Sequence, residues 1–472
     1  MKTAEKIYSA STSEDAANAR LAERLARRIE DDIASNNIPV GGVMGSLREL
    51  SERYNVGRAA VREGVGLLER RGLGRLRPGP CGGFIVAQPE AQAIGEELAN
   101  YFRMASVTRQ HLADARDAVG LMTAGMAAAN RAEGATIALA PPASDEGGLD
   151  WHLRIRTELA QSTGQPVLDL FTSCLNHLTT EFAATHPPRE DWRPVAADYT
   201  ARMETALGTG DVEGAVAQAQ ALNADLDQWL RDKDNPLTLA PIDTARNEDD
   251  RTLAALVARR IAAEILQGGG AGQRLGSEWD LSERFSVSRV TLRQAIRQLQ
   301  DSGLVECRRG RGNGLIVRDL RGTGGIRLVL AFLISHQMDP RAAGTLLFQL
   351  NRFIPALAIA RASAKERDEL GTLLARARAN DPIDRFDLLR LVQCVSQLAD
   401  SPIIDLFSRC LAAYEARFHP FLAERLPASV QAEYFALLQQ LLDRWEEGTA
   451  DLDWSKAKSA RVMLTMASDR PF

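Results

Sequence analysis

The sequence predicts a mainly α-helical chain built twice over. Two small helical modules each end in a β-hairpin, and each is followed by an all-α helical bundle. Three observations predict this. Tracts such as DLFTSCLNHLTTEF (169–182) and EYFALLQQLLDRW (433–445) carry apolar residues at helical spacing, and aromatics make up only 6% of the chain. Glycine-rich stretches, RPGPCGGF (77–84) and CRRGRGNGLIV (307–317), interrupt that pattern. Most telling, the first interruption and its surroundings return in register 231 residues later.

The repeat is dense. LARRIEDDI (25–33) parallels VARRIAAEI (257–265), and LSERYNV (50–56) parallels LSERFSV (281–287). The 231-residue offset also carries Arg58 to Arg289, Val61 to Leu292, Arg62 to Arg293, Val65 to Ile296, Leu68 to Leu299 and Gly83 to Gly314. In the helical parts GQPVLDLFTSCL (164–175) resembles DSPIIDLFSRCL (400–411). Chance does not keep register over such a span, so the sequence reads as a tandem duplication. The boundaries follow from composition. A disordered tail covers 1–20, a first module 21–88, a first helical body 89–232, and a Pro- and Asp-rich linker 233–250. A second module covers 251–319 and a second body 320–472. Each body is expected to hold about six or seven helices.

Composition narrows the class. A chain of 472 residues exceeds one core, and 45% hydrophobic with 25% charged residues is ordinary for a globular protein. The net charge of −5 argues against a uniformly basic nucleic-acid binder. Charge is uneven, however. Residues 46–77 hold eight arginines against four glutamates, and residues 277–311 hold seven arginines against five acids. Such segments make confined anion-binding footprints. Five cysteines (Cys81, Cys174, Cys307, Cys394, Cys410) without a C-x-x-C pair suggest neither a disulfide framework nor a zinc site. The opening MKTAEKIYSASTSEDAANAR lacks the apolar core of a signal peptide, and no 18-residue apolar run follows. The expectation is a cytoplasmic protein with no membrane partner.

Within each module a first helix (about 21–35; 252–267) leads through a glycine-rich turn to a short second helix, SLRELSERY or SEWDLSERF. Ser46 and Ser277 suit its N-cap, because a serine hydroxyl accepts an orphan amide of the first turn. After NVG or SVS comes a third helix whose Val61, Val65 and Leu68, or Leu292, Ile296 and Leu299, share one face. Arg58 with Arg62, and Arg289 with Arg293, flank that stripe one turn apart. A Gly-Leu stop and a basic hairpin close the module. Helix, helix, recognition helix and β-wing is the order of a winged helix-turn-helix, whose arginines can meet guanine or phosphate.

At these residues the modules resemble the winged helix of the GntR superfamily. Its pattern runs L-P-S-E-R-E-L, V-S-R-x-x-V-R-x-A-L, G-L and R-G-x-G-x-F-V. The bodies resemble the effector-binding (FCD-type) domain of its FadR subfamily. The resemblance implies a transcriptional regulator, usually a repressor, that binds a double-stranded DNA operator as a dimer and answers to a small acidic metabolite. Here one chain would supply both halves of the dimer, with half-sites about one duplex turn (roughly 34 Å) apart and room for a further homodimer. The DNA-contacting residues it implies are Arg48, Arg58, Arg62 and Arg77 in the first copy. In the second they are Ser288, Arg289, Thr291, Arg293, Arg308, Arg309 and Arg311. The copies depart from the pattern differently. The first has Gly57, Ala59 and Ala60 at the recognition helix, whereas the second has Trp279 where the family has arginine. Copy two is expected to read sequence better.

The metal-binding branch of the family uses D-x-x-x-H and two later histidines. Here the first body has Gly148 for the aspartate, His152, then Tyr199 or Thr200, and Asn223. The second has Asp384, but Leu388 and Tyr434 for the histidines. No metal and no other cofactor is expected. Arg116 falls where the family lines its cavity, so Arg116, His152 and Tyr199 are the candidate ligand-binding residues. An enzyme would require an α/β domain with a cofactor lysine, and these bodies are helical and lysine-poor. The alternative to a regulator is a degenerate winged-helix protein that serves as a protein–protein interaction module.

Overall fold

The computed structural model describes residues 21–79, 82–104, 107–132, 139–184, 186–188, 192–231, 253–268, 272–301, 303–307, 314–318, 323–379, 385–418, 428–449 and 455–456. The expected tail and linker, and Arg308, Arg309 and Arg311, lie outside these residues. The described residues are mainly helical, with two three-stranded sheets.

Two compact units emerge. One gathers residues 1–94 and 241–338, the other 95–240 and 339–472. The first unit therefore joins the two modules, and the second joins helices from both bodies. Residues 320–338, read from sequence as the start of the second body, group with the modules.

In the first module, α1 (residues 21–35) is followed by β1 (Val43–Gly45), α2 (Leu47–Tyr54), α3 (Arg58–Arg70), β2 (Gly74–Arg77) and β3 (Gly83–Val86). The second repeats the order with α10 (Leu253–Gly268), β4 (Arg274–Gly276), α11 (Glu278–Arg284), α12 (Arg289–Asp301), β5 (Val305–Cys307) and β6 (Leu315–Val317). The antiparallel sheets have matching orders, β1-β3-β2 and β4-β6-β5. Ser46 and Ser277 cap α2 and α11. Each hydroxyl accepts the third residue's amide, and that residue's carboxylate accepts the serine amide in return.

The backbones agree at positions that sterics make costly. Asn55 and Ser286, 231 residues apart, turn the chain before the third helix at φ 52° and 53°. Gly72 and Gly303 end that helix at φ 72° and 78°. A Cβ on Gly83 would meet the Gly45 carbonyl oxygen at 2.6 Å, and one on Gly314 the Gly276 oxygen at 2.3 Å. Only glycine lets the central strand cross there. The apolar face of α3 buries Val61, Val65 and Leu68, and that of α12 buries Leu292, Ile296 and Leu299. Beside α3, the Arg71 guanidinium is 3% exposed and donates to Glu30 Oε1 (2.8 Å) and Glu23 Oε2 (2.7 Å) of α1.

The helical unit comprises α4 (Ala91–Met104), α5 (Arg109–Ala132), α6 (Gly148–Ser162), α7 (Pro166–Ala183), α8 (Trp192–Thr209) and α9 (Val212–Trp229) from the first body. The second body supplies α14 (Pro340–Arg361), α15 (Ala364–Ala379), α16 (Arg385–Leu398), α17 (Pro402–Phe418) and α18 (Ala428–Glu446), while its α13 (Thr323–Ser335) goes with the modules. The body helices are stitched across the duplicated halves. Phe171 of α7 stacks on Phe407 of α17 with ring centroids 3.7 Å apart. The fully buried Asp114 of α5 takes Arg361 of α14, and also Lys456 Nζ at 3.0 Å. Helix α14 is long and apolar enough to cross a membrane, but 67% of its apolar window is buried inside the protein, as in a core helix.

Candidate nucleic-acid interface

The recognition helices α3 and α12 start with arginine on solvent. Arg58 and Arg62 are exposed, as are Arg289 and Arg293. Arg77 ends β2 exposed as well. Arg48 on α2 is also exposed, and its Nε donates to Glu52 Oε1 at 2.9 Å. The second copy holds its side chains more tightly. Ser288 Oγ accepts the Thr291 amide at 3.1 Å and lies 2.8 Å from Thr291 Oγ1, so both hydroxyls already serve the helix start. Arg293 pairs with Glu278 of α11. The Arg289 guanidinium lies 4.3 Å over the Trp279 ring. The fuller sequence motif of copy two thus comes with its arginines pre-engaged. No sequence rule fixes that, because the partners sit on the neighbouring helix.

A bridge joins the two recognition helices. Arg297 Nε of α12 lies 3.5 Å from Glu63 Oε1 of α3. At 1.5 Å rise per residue, Arg289 lies about 12 Å along its helix from Arg297, and Arg58 about 8 Å from Glu63. Adding the reach of the bridging side chains leaves the two arginine-bearing ends no more than about 34 Å apart, roughly one duplex turn.

The interior of the first body is polar where the sequence drew attention to it. Arg116 is fully buried, pairs with Asp227 of α9, and donates to Thr179 Oγ1 at 3.3 Å. Its partner lies 111 residues away, beyond what spacing could supply. His152 Nε2 faces Asp225 Oδ2 at 3.4 Å. Tyr199 packs edge-on against Trp151, with its hydroxyl buried and unbonded. Between these groups sits Arg156, which sequence reading missed. It is 6% exposed, with Nη1 buried and lacking a hydrogen-bond partner. Burial, and then the Arg116 charge, push its guanidinium down to about 9, against the pull of Asp227, Asp117 and Tyr199. Its one available signal was position, four residues after His152 on α6.

These residues do not make a metal cage. A Cβ on Gly148 would come 2.8 Å from Trp192 Cγ, so tryptophan fills the space an aspartate would need. Asn223 spends its amide on the Arg116 carbonyl (3.1 Å) and Asp117 Oδ1 (3.2 Å). Among the described residues no cluster of three His, Cys, Asp or Glu side chains is placed to hold an ion. A cavity of about 370 Å³ opens beside this interior. Asp117, Asp227, Arg109, Arg231, Phe353 and Lys456 are among its walls, whereas Arg116, His152, Arg156 and Tyr199 are not. Burial raises the Asp117 carboxyl there, although Lys456 Nζ stands 2.7 Å away.

Comparison with known proteins places the modules. Residues 21–81 and 253–314 each match the family model of bacterial regulatory proteins, gntR family. An uncharacterized HTH-type transcriptional regulator of Mycobacterium tuberculosis is 45% identical over 67 residues, covering 14% of this chain and 27% of that protein. The HTH-type transcriptional regulator Mce2R, also of Mycobacterium tuberculosis, is 33% identical over 126 residues, 26% of this chain and 51% of its own. The HTH-type transcriptional repressor NanR of Klebsiella aerogenes is 35% identical over 83 residues, 18% and 31% of the two chains. The chain thus spans between about a quarter and a half of these relatives' lengths. A solved structure, Streptococcus agalactiae GntR, aligns over 46% of this chain and 98% of its own at 17% identity, with a TM-score of 0.31. By the two matched segments and the two helix–helix–helix–wing folds that contain them, the chain carries two winged helix-turn-helix domains of the bacterial gntR family.

Proposed function

We propose that the protein is a DNA-binding transcriptional regulator whose two modules, supplied by one duplicated chain, grip a single operator as a pseudo-dimer. The carrying observation is the pair of recognition helices that start in exposed arginines and are joined by Arg297 and Glu63. A rigid pair of cationic helix ends within one duplex turn fits one face of B-form DNA. Unequal copies give an asymmetric operator. The printed names of the curated relatives, all HTH-type regulators or repressors, support the reading. The helical unit is the FCD-type effector part, and a small acid is the ligand class its interior suits. An unpartnered guanidinium at Arg156 Nη1 and an unbonded hydroxyl at Tyr199 ask for acceptor oxygens.

Selection from a random duplex library tests the DNA reading: one enriched sequence bound at one chain per duplex is expected. Binding that enriches no sequence would instead favour the interaction-module reading, which the engaged Arg289 and Arg293 support.

A further inference from the structure

The two most exposed large apolar side chains among the described residues are neighbours in the fold. Val290 is 67% exposed and Trp279 62%. Neither serves the core of its helix, where Leu281 of α11 and Leu292, Ala295, Ile296 and Leu299 of α12 are buried. Trp279 is the second residue of α11, and Val290 the second residue of α12. Arg289, next to Val290, lies over the Trp279 ring, so the two helix starts are coupled through a cation–π contact. Leaving a tryptophan and a valine in water forgoes burial free energy, which points to a surface that meets something apolar.

The surroundings limit what that is. Arg274, Arg289 and Arg293 are all exposed around the pair, so the occupant is anionic overall with apolar points inside it. The major groove of duplex DNA has that character. Phosphates line it, and the thymine C5-methyl is the apolar feature it displays to side chains. The first module lacks the feature: 231 residues earlier stand Arg48, bonded to Glu52, and Ala59.

We propose that Trp279 and Val290 form an apolar base-reading platform that selects thymine, through its methyl group, in the half-site met by the second module. The platform rests on the DNA-binding reading above and adds base specificity to it. It makes the operator's two halves chemically different. One half is read by small side chains and arginine, the other by a tryptophan-braced valine.

The test uses the full chain and the duplex it enriches from a random library. Thymine is replaced by uracil, which lacks only the methyl group, at one position at a time. At one or two positions of one half-site, uracil should weaken wild-type binding by about threefold to fivefold, the worth of one buried methyl-sized group. Val290→Ala should bind the thymine and uracil duplexes equally at those positions. Trp279→Arg should enrich a different half-site. Val290→Ala should melt like the wild type, since the side chain packs on nothing. If an enriched duplex tolerates uracil everywhere, the platform is wrong and the DNA reading stands. If no duplex is enriched, the DNA reading itself fails. If neither substitution alters duplex binding, the exposed pair belongs to a protein contact and the proposal falls.

Discussion

Arg71→Met should cost the module unit most of its stability margin. Arg71 follows recognition helix α3, is 3% exposed, and donates to Glu30 at 2.8 Å and Glu23 at 2.7 Å, both on α1. Those carboxylates are themselves 4% and 19% exposed. Methionine keeps the bulk but leaves two acids side by side in a largely dry seam. Arg27 and Arg327, each 3.5 Å from Glu23 Oε1, remain as outer compensation. Removing one partner of a buried ionic group costs about 3–5 kcal/mol. For a unit of this size that lowers Tm by roughly 6–20 °C.

The loss carries a pH signature. Burial pushes the Glu23 carboxyl up, but Arg71 and Arg327 outweigh it and hold it below its usual value. A depressed carboxyl stabilises the fold above its unfolded pKa, and that stability is lost as pH falls through its folded pKa. Without Arg71 the depression goes, and acid that protonates the pair relieves their repulsion. The gap between wild type and variant should therefore be widest at neutral pH and shrink below about pH 5. Thermal unfolding followed by circular dichroism from pH 4 to 7 checks both. A loss under 1 kcal/mol, or a gap that widens in acid, would refute the reasoning.

Three other perturbations act on two ion pairs and one close backbone approach. Glu278→Ala releases Arg293 and should tighten duplex binding about twofold to tenfold in low salt, read by gel shift; weaker binding would show that Glu278 positions Arg293 productively. Asp114→Asn strips charge from a fully buried acceptor of Arg361 and Lys456, and should lower the stability of the helical unit by about 3 kcal/mol or more in denaturant titration. Gly314→Ala would set a Cβ 2.3 Å from the Gly276 oxygen, so the second wing should lose amide protection in hydrogen exchange while the first keeps it.

Much of this was legible in the sequence because it is local. Helical spacing placed α3 and α12 with the right residues inward, and the serine caps and glycine stops fell where backbone sterics require them. The duplication offset gave positions a shared backbone, down to the left-handed turns at Asn55 and Ser286. What stayed hidden is non-local. Arg116 finds Asp227 on a helix far along the chain, and Arg361 finds Asp114 in the other half. The motif ranked copy two as the better reader, yet its arginines are the ones held by Glu278 and Trp279. Spacing along one helix says nothing about a carboxylate or ring presented by the next. Arg156 escaped notice because only burial without a partner distinguishes it from an ordinary helical arginine.

The salt dependence of duplex affinity tests the central claim most directly. Affinity for the enriched duplex should fall linearly with salt on a logarithmic plot. Arg58→Ala with Arg62→Ala should reduce that slope by up to about two, roughly 0.9 for each phosphate no longer neutralised, and Arg289→Ala with Arg293→Ala should do the same. Combining all four should lower it further while one chain still binds one duplex. A slope unchanged by either pair would contradict two modules of one polypeptide holding one operator.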